Sequence, residues 1–241
     1  MKEIKGLLKG LVKSILNNIR YFRGAEISYY GVKLKLSRTI VSKAIAFRIY
    51  KNKYEVNEMK IIDASLTSSD IVMELGTGIG FIALFCAKRV AAKQVYTFEA
   101  NPLLIPHIKE NFRINKQEIN LFNSILKHKP VERACNFYIS KDFYSSGLTR
   151  PKYFDRTVQV SVIDFEAELN RIEPTFLIVD IEGYEYELFK ELVLPSVVKK
   201  ILIELHPEKT SSFVDIVGNF KNMGFTINES YLELNQLYGE R

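Results

Sequence analysis

Residues 70–83 read Asp-Ile-Val-Met-Glu-Leu-Gly-Thr-Gly-Ile-Gly-Phe-Ile-Ala. A short apolar strand, Asp70 to Leu75, gives way to glycines at 76, 78 and 80 and then to a helical pattern from about Ile79 to Val90. Strand, glycine turn and helix in that order predict the first unit of an open α/β sheet, where ligands bind at the carboxyl ends of the strands. Glycine lacks Cβ and reaches φ/ψ values closed to other residues, so the backbone there can approach a ligand closely. Glu74 stands two residues before the first glycine. Glu99, 19 residues after Gly80, closes the next strand.

Downstream, strands and helices alternate. Gln94–Glu99 and Ile119–Asn123 read as strands around a helix, Pro102–Asn115, that begins on proline. Thr175–Asp180 and Lys199–Leu205 are buried strands flanking a helix near Tyr184–Leu192. A last helix spans Glu208–Met223, and two short strands begin at Phe225 and Tyr231. The expected fold is α/β, a mostly parallel seven-stranded sheet with helices on both faces. A longer insertion, residues 127–172, contains strand-like pieces at Ala134–Ser140 and Thr157–Ile163.

Upstream the character differs. Met1–Lys53 holds 13 Lys and Arg against Glu3 and Glu26, a balance of +11, whereas the rest of the 241 residues sums to −5. Ile4, Leu7, Leu8, Leu11, Val12, Ile15, Leu16, Ile19 and Phe22 trace one helix face with lysines elsewhere on the wheel. A hairpin-like stretch, Glu26–Leu36, and a basic helix, Ile40–Tyr50, follow. We therefore divide the chain into a basic N-terminal extension, 1–53, and a catalytic body, 54–241. The extension is expected to pack on its own body, to pair with a second copy, or to touch an anionic membrane surface. Confinement of the basic charge to this segment argues against a nucleic-acid groove across the body. Cys86 and Cys135 have apolar neighbours and no metal spacing, so they read as reduced residues of a cytosolic protein. There is no long apolar run or signal-peptide pattern.

A glycine turn followed by a strand-end acid serves two cofactor classes. Gly78-Ile79-Gly80-Phe81-Ile82-Ala83 fits the G-x-G-x-x-A form of a dinucleotide fingerprint, and Tyr186 and Lys190 have the Tyr-x-x-x-Lys spacing of short-chain dehydrogenases. Against an NAD-dependent oxidoreductase, Glu74 suits a cationic amino-acid group better than a pyrophosphate. The Gly76-x-Gly78-x-Gly80 reading also fits a methyltransferase turn, and the fourth strand ends in Asp180 rather than a serine. S-adenosylmethionine is the expected cofactor.

The second signal is Val179-Asp180-Ile181-Glu182-Gly183-Tyr184-Glu185. Two carboxylates at a strand end are placed to deprotonate or orient a hydroxyl. Glu182 and Glu185 also suit the first turn of the following helix. The Asn/Asp-Pro-Pro-aromatic run of many amino-methylating enzymes does not stand here, which favours an oxygen nucleophile. His206, just past the fifth strand, reads either as a general base or as a structural residue before Pro207. His107 and His128 read as surface residues. Phe143-Tyr144-Ser145-Ser146-Gly147-Leu148 is a loop able to stack on and hydrogen-bond a sugar, with Tyr144, Ser145 and Ser146 as substrate candidates. No His/Cys cluster suggests zinc; Asp180 and Glu182 could join a Mg²⁺ site, for which two carboxylates make a weak case.

Glu74–Gly80, Tyr96–Pro102, Asn111–Asn115 and above all Asp180-Ile181-Glu182-Gly183 resemble the FkbM family of methyltransferases. Tyr54-Glu55, Val162-Ile163-Asp164 and Ile203-Glu204-Leu205-His206-Pro207 are similar to that family as well. The resemblance covers roughly Lys53 to Pro207. It implies a Rossmann-like class I methyltransferase, usually O-directed. Glu74, Gly76 and Gly78 then line the methionine end, with Thr77 and Gly80 in the same turn. Glu99 holds the ribose, Ala100 and Asn101 border the adenine with Asn123 and Ser124, and Asp180 and Glu182 face the methyl. The expected acceptor is a hydroxyl of a saccharide or another small molecule or glycan. The alternative, a nucleic-acid methyltransferase, requires the +11 segment as a docking arm.

Overall fold

The computed structural model describes Tyr21 and residues 24–140, 145–206 and 213–241. Apart from Tyr21, the amphipathic stretch at residues 4–22 lies outside the described residues. A hairpin of β1 (Glu26–Tyr29) and β2 (Val32–Lys35) leads into α1 (Lys43–Tyr50) and α2 (Val56–Ser65). The order continues as β3 (Val72–Leu75), α3 (Phe81–Cys86), β4 (Val95–Phe98), α4 (Ile105–Ile114) and β5 (Asn120–Phe122). The insertion supplies β6 (Ile125–Lys127), β7 (Ala134–Ile139), β8 (Arg156–Asp164) and α5 (Phe165–Ile172). The chain then adds β9 (Phe176–Val179), α6 (Glu185–Phe189), β10 (Lys200–Glu204), α7 (Phe213–Asn222), β11 (Thr226–Ile227) and β12 (Gln236–Glu240).

Seven strands form one sheet in the order β11-β12-β10-β9-β3-β4-β5, parallel from β10 to β5, with β12 antiparallel to both its neighbours. This is the Rossmann-like class I arrangement expected from the sequence. Strand side chains alternate between faces, and the two cores record it. Val72, Phe176, Ile178 and Leu202 pack with α1, α2 and α3 in one cluster, while Met73, Leu75, Leu177, Val179, Ile201 and Ile203 pack with α5, α6 and α7 in the other. The same period puts Glu74 on the face of Val72 and Glu204 on the face of Leu202, and carries Asp180 onto the face of Ile178. Three acids are thereby directed to one side of the carboxyl edge.

The hairpin belongs to the first core through Tyr29, Val32 and Leu34. Two asparagines of α4 hold it in place. Asn111 accepts from Lys35 N at 2.9 Å and donates to Ile79 O at 2.8 Å, and Asn115 accepts from Lys33 N at 2.9 Å. Asn111 is fully buried, so it ties the hairpin directly to the glycine turn.

Several expectations need correction. α2 and α5 were not foreseen; Asp164 caps α5 by accepting from Glu166 N. α3 starts only after Gly80 (φ 82°) and ends at Cys86, shorter than Ile79–Val90. α4 begins at Ile105 with Pro106 in its first turn, so Pro102 lies in the preceding turn. Tyr231 sits in a 3₁₀ turn, Glu229–Leu234, initiated by Asn228 accepting from Ser230 N, and the final strand starts at Gln236. His107 is buried rather than superficial, and burial lowers its pKa to about 4. Cys135 is only partly buried.

Candidate active site

The carboxyl edge of β3, β4, β9 and β10 opens into a cavity of about 450 Å³, within the range of small-molecule sites. Its floor is the glycine turn. Gly76 (φ 91°), Gly78 (φ 55°) and Gly80 (φ 82°) all occupy the left-handed region, and Gly76 lies against the turn after β9. A Cβ on Gly76 would meet the Asp180 carbonyl oxygen at 1.7 Å. The two sequence motifs are therefore packed backbone to backbone.

Glu74 is buried and bonded to the Thr97 hydroxyl, which in turn meets Thr77 Oγ1 at 2.5 Å. Burial pushes its pKa to about 8, even though the Thr97 hydroxyl pulls it down. Glu99 is also buried, and Oε2 accepts from Gly78 N at 2.9 Å while Oε1 accepts from Asn101 N at 2.7 Å. Burial lifts Glu99 to about 7 against these backbone donors. The backbone N–H groups of Ala100 and Thr77 also pull it down, so this carboxylate sits in a nest of backbone donors.

The other predicted cofactor residues divide. Ala100 and Ser124 line the cavity, and the buried Ser124 Oγ has no hydrogen-bond partner among the described residues, an open position for a ligand. Asn101 does not line it; its side chain accepts from Leu103 N and shapes the turn after β4. Asn123 is exposed and donates to Glu99 O and Ala100 O, bracing that turn from outside. Gly80 acts through helix entry rather than by lining the space. Of the substrate candidates, Ser146 lines the cavity and Ser145 is exposed; Tyr144 lies outside the described residues. Tyr186 and Lys190 are not on the cavity wall, and Lys190 pairs with Glu187.

Beside the glycine turn, beyond the ends of β9 and β10, stands a wall of acids around one histidine. Glu185, with no exposed side-chain surface, receives Ile181 N at 3.3 Å, Gly183 N at 3.0 Å and His206 Nδ1 at 3.0 Å on Oε1. An oxygen already accepting two backbone N–H groups takes Nδ1 as a third donor, so Nε2 faces the cavity. There Nε2 lies 3.7 Å from Asp180 Oδ1 and 3.4 Å from Glu182 Oε2. Burial pulls the His206 pKa down, but Glu185 and Glu182 outweigh it and the net shift is upward. Burial, with Glu204, Glu55, Glu182 and Glu185 nearby, drives Asp180 well above the usual carboxylate range.

Glu55, Glu58, Glu204 and Gln236 complete this wall; the sequence marks Glu55 and Glu204 only as parts of family-like stretches and Glu58 and Gln236 not at all. Glu55 begins α2 with φ 49°, and Glu182 has φ 57°, both left-handed without being glycine. Such conformations cost about 1–3 kcal/mol and gather at functional sites. The available signal was Glu204, a charged residue inside the apolar run Ile201–Leu205.

A mostly parallel sheet with a three-glycine turn, a buried acid at the end of the next strand and an acidic end to β9 fits a class I S-adenosylmethionine-dependent methyltransferase. The Methyltransferase FkbM domain description matches residues 70–227, and the chain belongs to that family. Among curated proteins, a tRNA (guanine(37)-N(1))-methyltransferase of Vitis vinifera is 28% identical over 109 residues, 42% of this chain and 18% of that protein. A putative protein N5-glutamine methyltransferase of Methanocaldococcus jannaschii is 31% identical over 101 residues, 42% of this chain and 45% of that protein. The matches span less than half the length of these curated relatives. Among solved structures, a precorrin-6y C5,15-methyltransferase from Geobacter metallireducens is similar with a TM-score of 0.46 and 11% identity, over 78% of each chain. No described helix is long and apolar enough to cross a membrane.

Proposed function

We propose that the protein transfers the methyl group of S-adenosylmethionine to a hydroxyl oxygen of a saccharide or related small-molecule acceptor. The observation that carries this reading is the wall of Asp180, Glu182 and His206, with Glu185 behind it, in the same cavity as Glu99 and the glycine turn.

The bound cofactor supplies a methyl group made electrophilic by its sulfonium. The chain's own residues position and deprotonate. Glu99 takes hydroxyl donors of the ribose, and the Gly76–Gly80 turn lets backbone reach the methionine end without side-chain obstruction. A hydroxyl loses its proton as its oxygen attacks, so a cluster of acceptors beside the nucleophile favours oxygen. Asp180, Glu182, Glu204 and His206 supply that cluster. Sugar hydroxyls are donors in plural, which suits several carboxylates on one wall, and Tyr184 and Phe137 add apolar surface at the same cavity.

The test is transfer of radiolabelled methyl from S-adenosylmethionine to parallel pools of oligosaccharides, sugar nucleotides, RNA and protein. Alkali-stable label on a carbohydrate, as a methyl ether, supports the proposal. Label confined to RNA or to protein overturns it.

A further inference from the structure

We infer that Asp180, Glu182 and His206 form a divalent-cation site, with Glu185 as the residue that aims His206 at the ion. The inference rests on the hydroxyl-methylating reading for its purpose, but not for its geometry. One ligand atom from each of the three residues lies within 4.8 Å of the other two. His206 is oriented from behind: the fully buried Glu185 meets Nδ1, so Nε2 is the ring nitrogen turned toward the two carboxylates and free to bind an ion in the neutral ring. A carboxylate that fixes one ring nitrogen while the other binds a metal is a recurrent arrangement.

The separations point the same way. Nε2 to Glu182 Oε2 is 3.4 Å and to Asp180 Oδ1 is 3.7 Å. A charge-assisted hydrogen bond from an imidazolium runs at about 2.7–2.9 Å, so these contacts are long for direct bonding. Donors held at about 2.1 Å from one ion stand about 3.0–3.4 Å apart in octahedral or tetrahedral geometry, close to what is found. Asp180 Oδ1 is hidden from solvent and has no hydrogen-bond partner among the described residues. A second buried group, Gln236 Oε1, is likewise unpartnered; its side chain is 1% exposed and lines the same cavity. Both are acceptors that await a positive charge or a donor.

Glu55 and Glu204 form a second group with Asp180, their ligand atoms within 4.8 Å of one another. So many carboxylates in a confined space repel one another unless protons or a cation neutralise them. One imidazole with carboxylates suits Mn²⁺, Mg²⁺ or Zn²⁺, and three protein ligands leave positions open for an acceptor hydroxyl. The charge lowers the pKa of a hydroxyl brought to it. Glu204 stands near enough to receive the released proton, the hydroxyl oxygen forms the new bond to the methyl carbon, and the electron pair of the broken carbon–sulfur bond stays on sulfur. The sequence pointed to two of these ligands; folding adds the histidine.

The test uses the full chain, stripped with a chelator and titrated with Mn²⁺ while free Mn²⁺ is read by electron spin resonance. The expected result is saturable binding of about one ion. His206→Ala and Glu182→Gln should each weaken it roughly tenfold or more, and Glu185→Gln comparably, with binding of S-adenosylhomocysteine retained as the check on folding. Spin-echo modulation from a directly bound imidazole nitrogen should appear in the unmodified protein, which covers the case of variants that unfold. Absence of saturable binding, absence of the nitrogen signal, or unchanged affinity in folded variants overturns the site. Mn²⁺ bound as described, without methylation of any hydroxyl, leaves the site standing and overturns the hydroxyl reading. Chelator-resistant hydroxyl methylation without Mn²⁺ binding does the reverse.

Discussion

Gly76 and Asp180 meet backbone to backbone at the carboxyl edge of the sheet, where a Cβ on the glycine would lie 1.7 Å from the Asp180 carbonyl oxygen. The cofactor turn and the acidic strand end are thus one mechanical unit: moving either displaces the other. Gly76 also has φ 91°, which side-chain-bearing residues rarely adopt.

Gly76→Ala should therefore disturb both halves of the site at once. Overpacking costs about 1–3 kcal/mol, and the backbone strain adds of order 1 kcal/mol more. The expected outcome is a Tm lowered by roughly 5 °C or more, with loss of S-adenosylmethionine binding, read by calorimetry. Unchanged stability and binding would refute the close approach.

Glu99→Ala removes the acceptor for Gly78 N and Asn101 N and, on the proposed reading, for the ribose. Hydrogen bonds to a charged group contribute about 1.5–3 kcal/mol each, so affinity for S-adenosylmethionine and S-adenosylhomocysteine should fall about 100-fold. Titration of both ligands checks this.

Glu74 makes apo stability depend on pH in an identifiable direction. Its pKa is raised to about 8 by burial, against about 4.3 when unfolded. The folded chain therefore holds a proton that the unfolded chain has lost. The stability is fully present below the unfolded value and declines as pH rises through about 8. Tm measured from pH 5 to pH 8.5 should fall, and Glu74→Gln should flatten that part of the decline. A parallel slope in the variant would count against the assignment.

Asp70 gives the opposite sign. Burial raises its pKa, but Lys200, Thr67 and Thr175 outweigh burial and the net shift is downward. Its contribution is present above the unfolded carboxylate pKa and is lost as pH falls through the folded one. Both partners are largely buried, with 13% of the Lys200 and 6% of the Asp70 side chain exposed. Asp70→Ala leaves Lys200 unpaired and should cost about 3 kcal/mol. Denaturant unfolding at pH 7 and pH 3 should show that loss shrinking in acid.

Glu185→Gln tests orientation. His206 should lose its fixed tautomer, and kcat should fall roughly tenfold or more while affinity for S-adenosylmethionine stays unchanged. Equal loss in kcat and in cofactor affinity would instead mark a general structural role.

Legibility differed by element. The strand–turn–helix at Asp70–Cys86, the acid at Glu99 and the acid pair at Asp180 and Glu182 were readable because period, glycine and position mark them locally. α2 was missed because Val56–Ser65 carries weak amphipathicity and starts at Glu55, a left-handed residue without a side-chain cap. Tyr231 was misread as a strand because a short apolar run does not separate strand from turn, and Asn228 decided the matter. Asn123 and Asn101 were placed at the right loops, but their side chains serve the loops themselves.

By itself the sequence determined the alternating strands and helices of the central sheet, the glycine turn, the strand-end acids and the family. These are local properties, set by alternation along a strand, by the conformational freedom of glycine and by charge at the end of an apolar run. Only the tertiary structure decided that Glu55, Asp180, Glu182, Glu204 and His206 surround one space, that Glu185 turns Nδ1 of His206 inward, and that Asn111 ties the hairpin to the glycine turn. Those relations depend on parallel crossovers that bring strand ends from distant parts of the chain to one edge, and such distances are not encoded in any single segment.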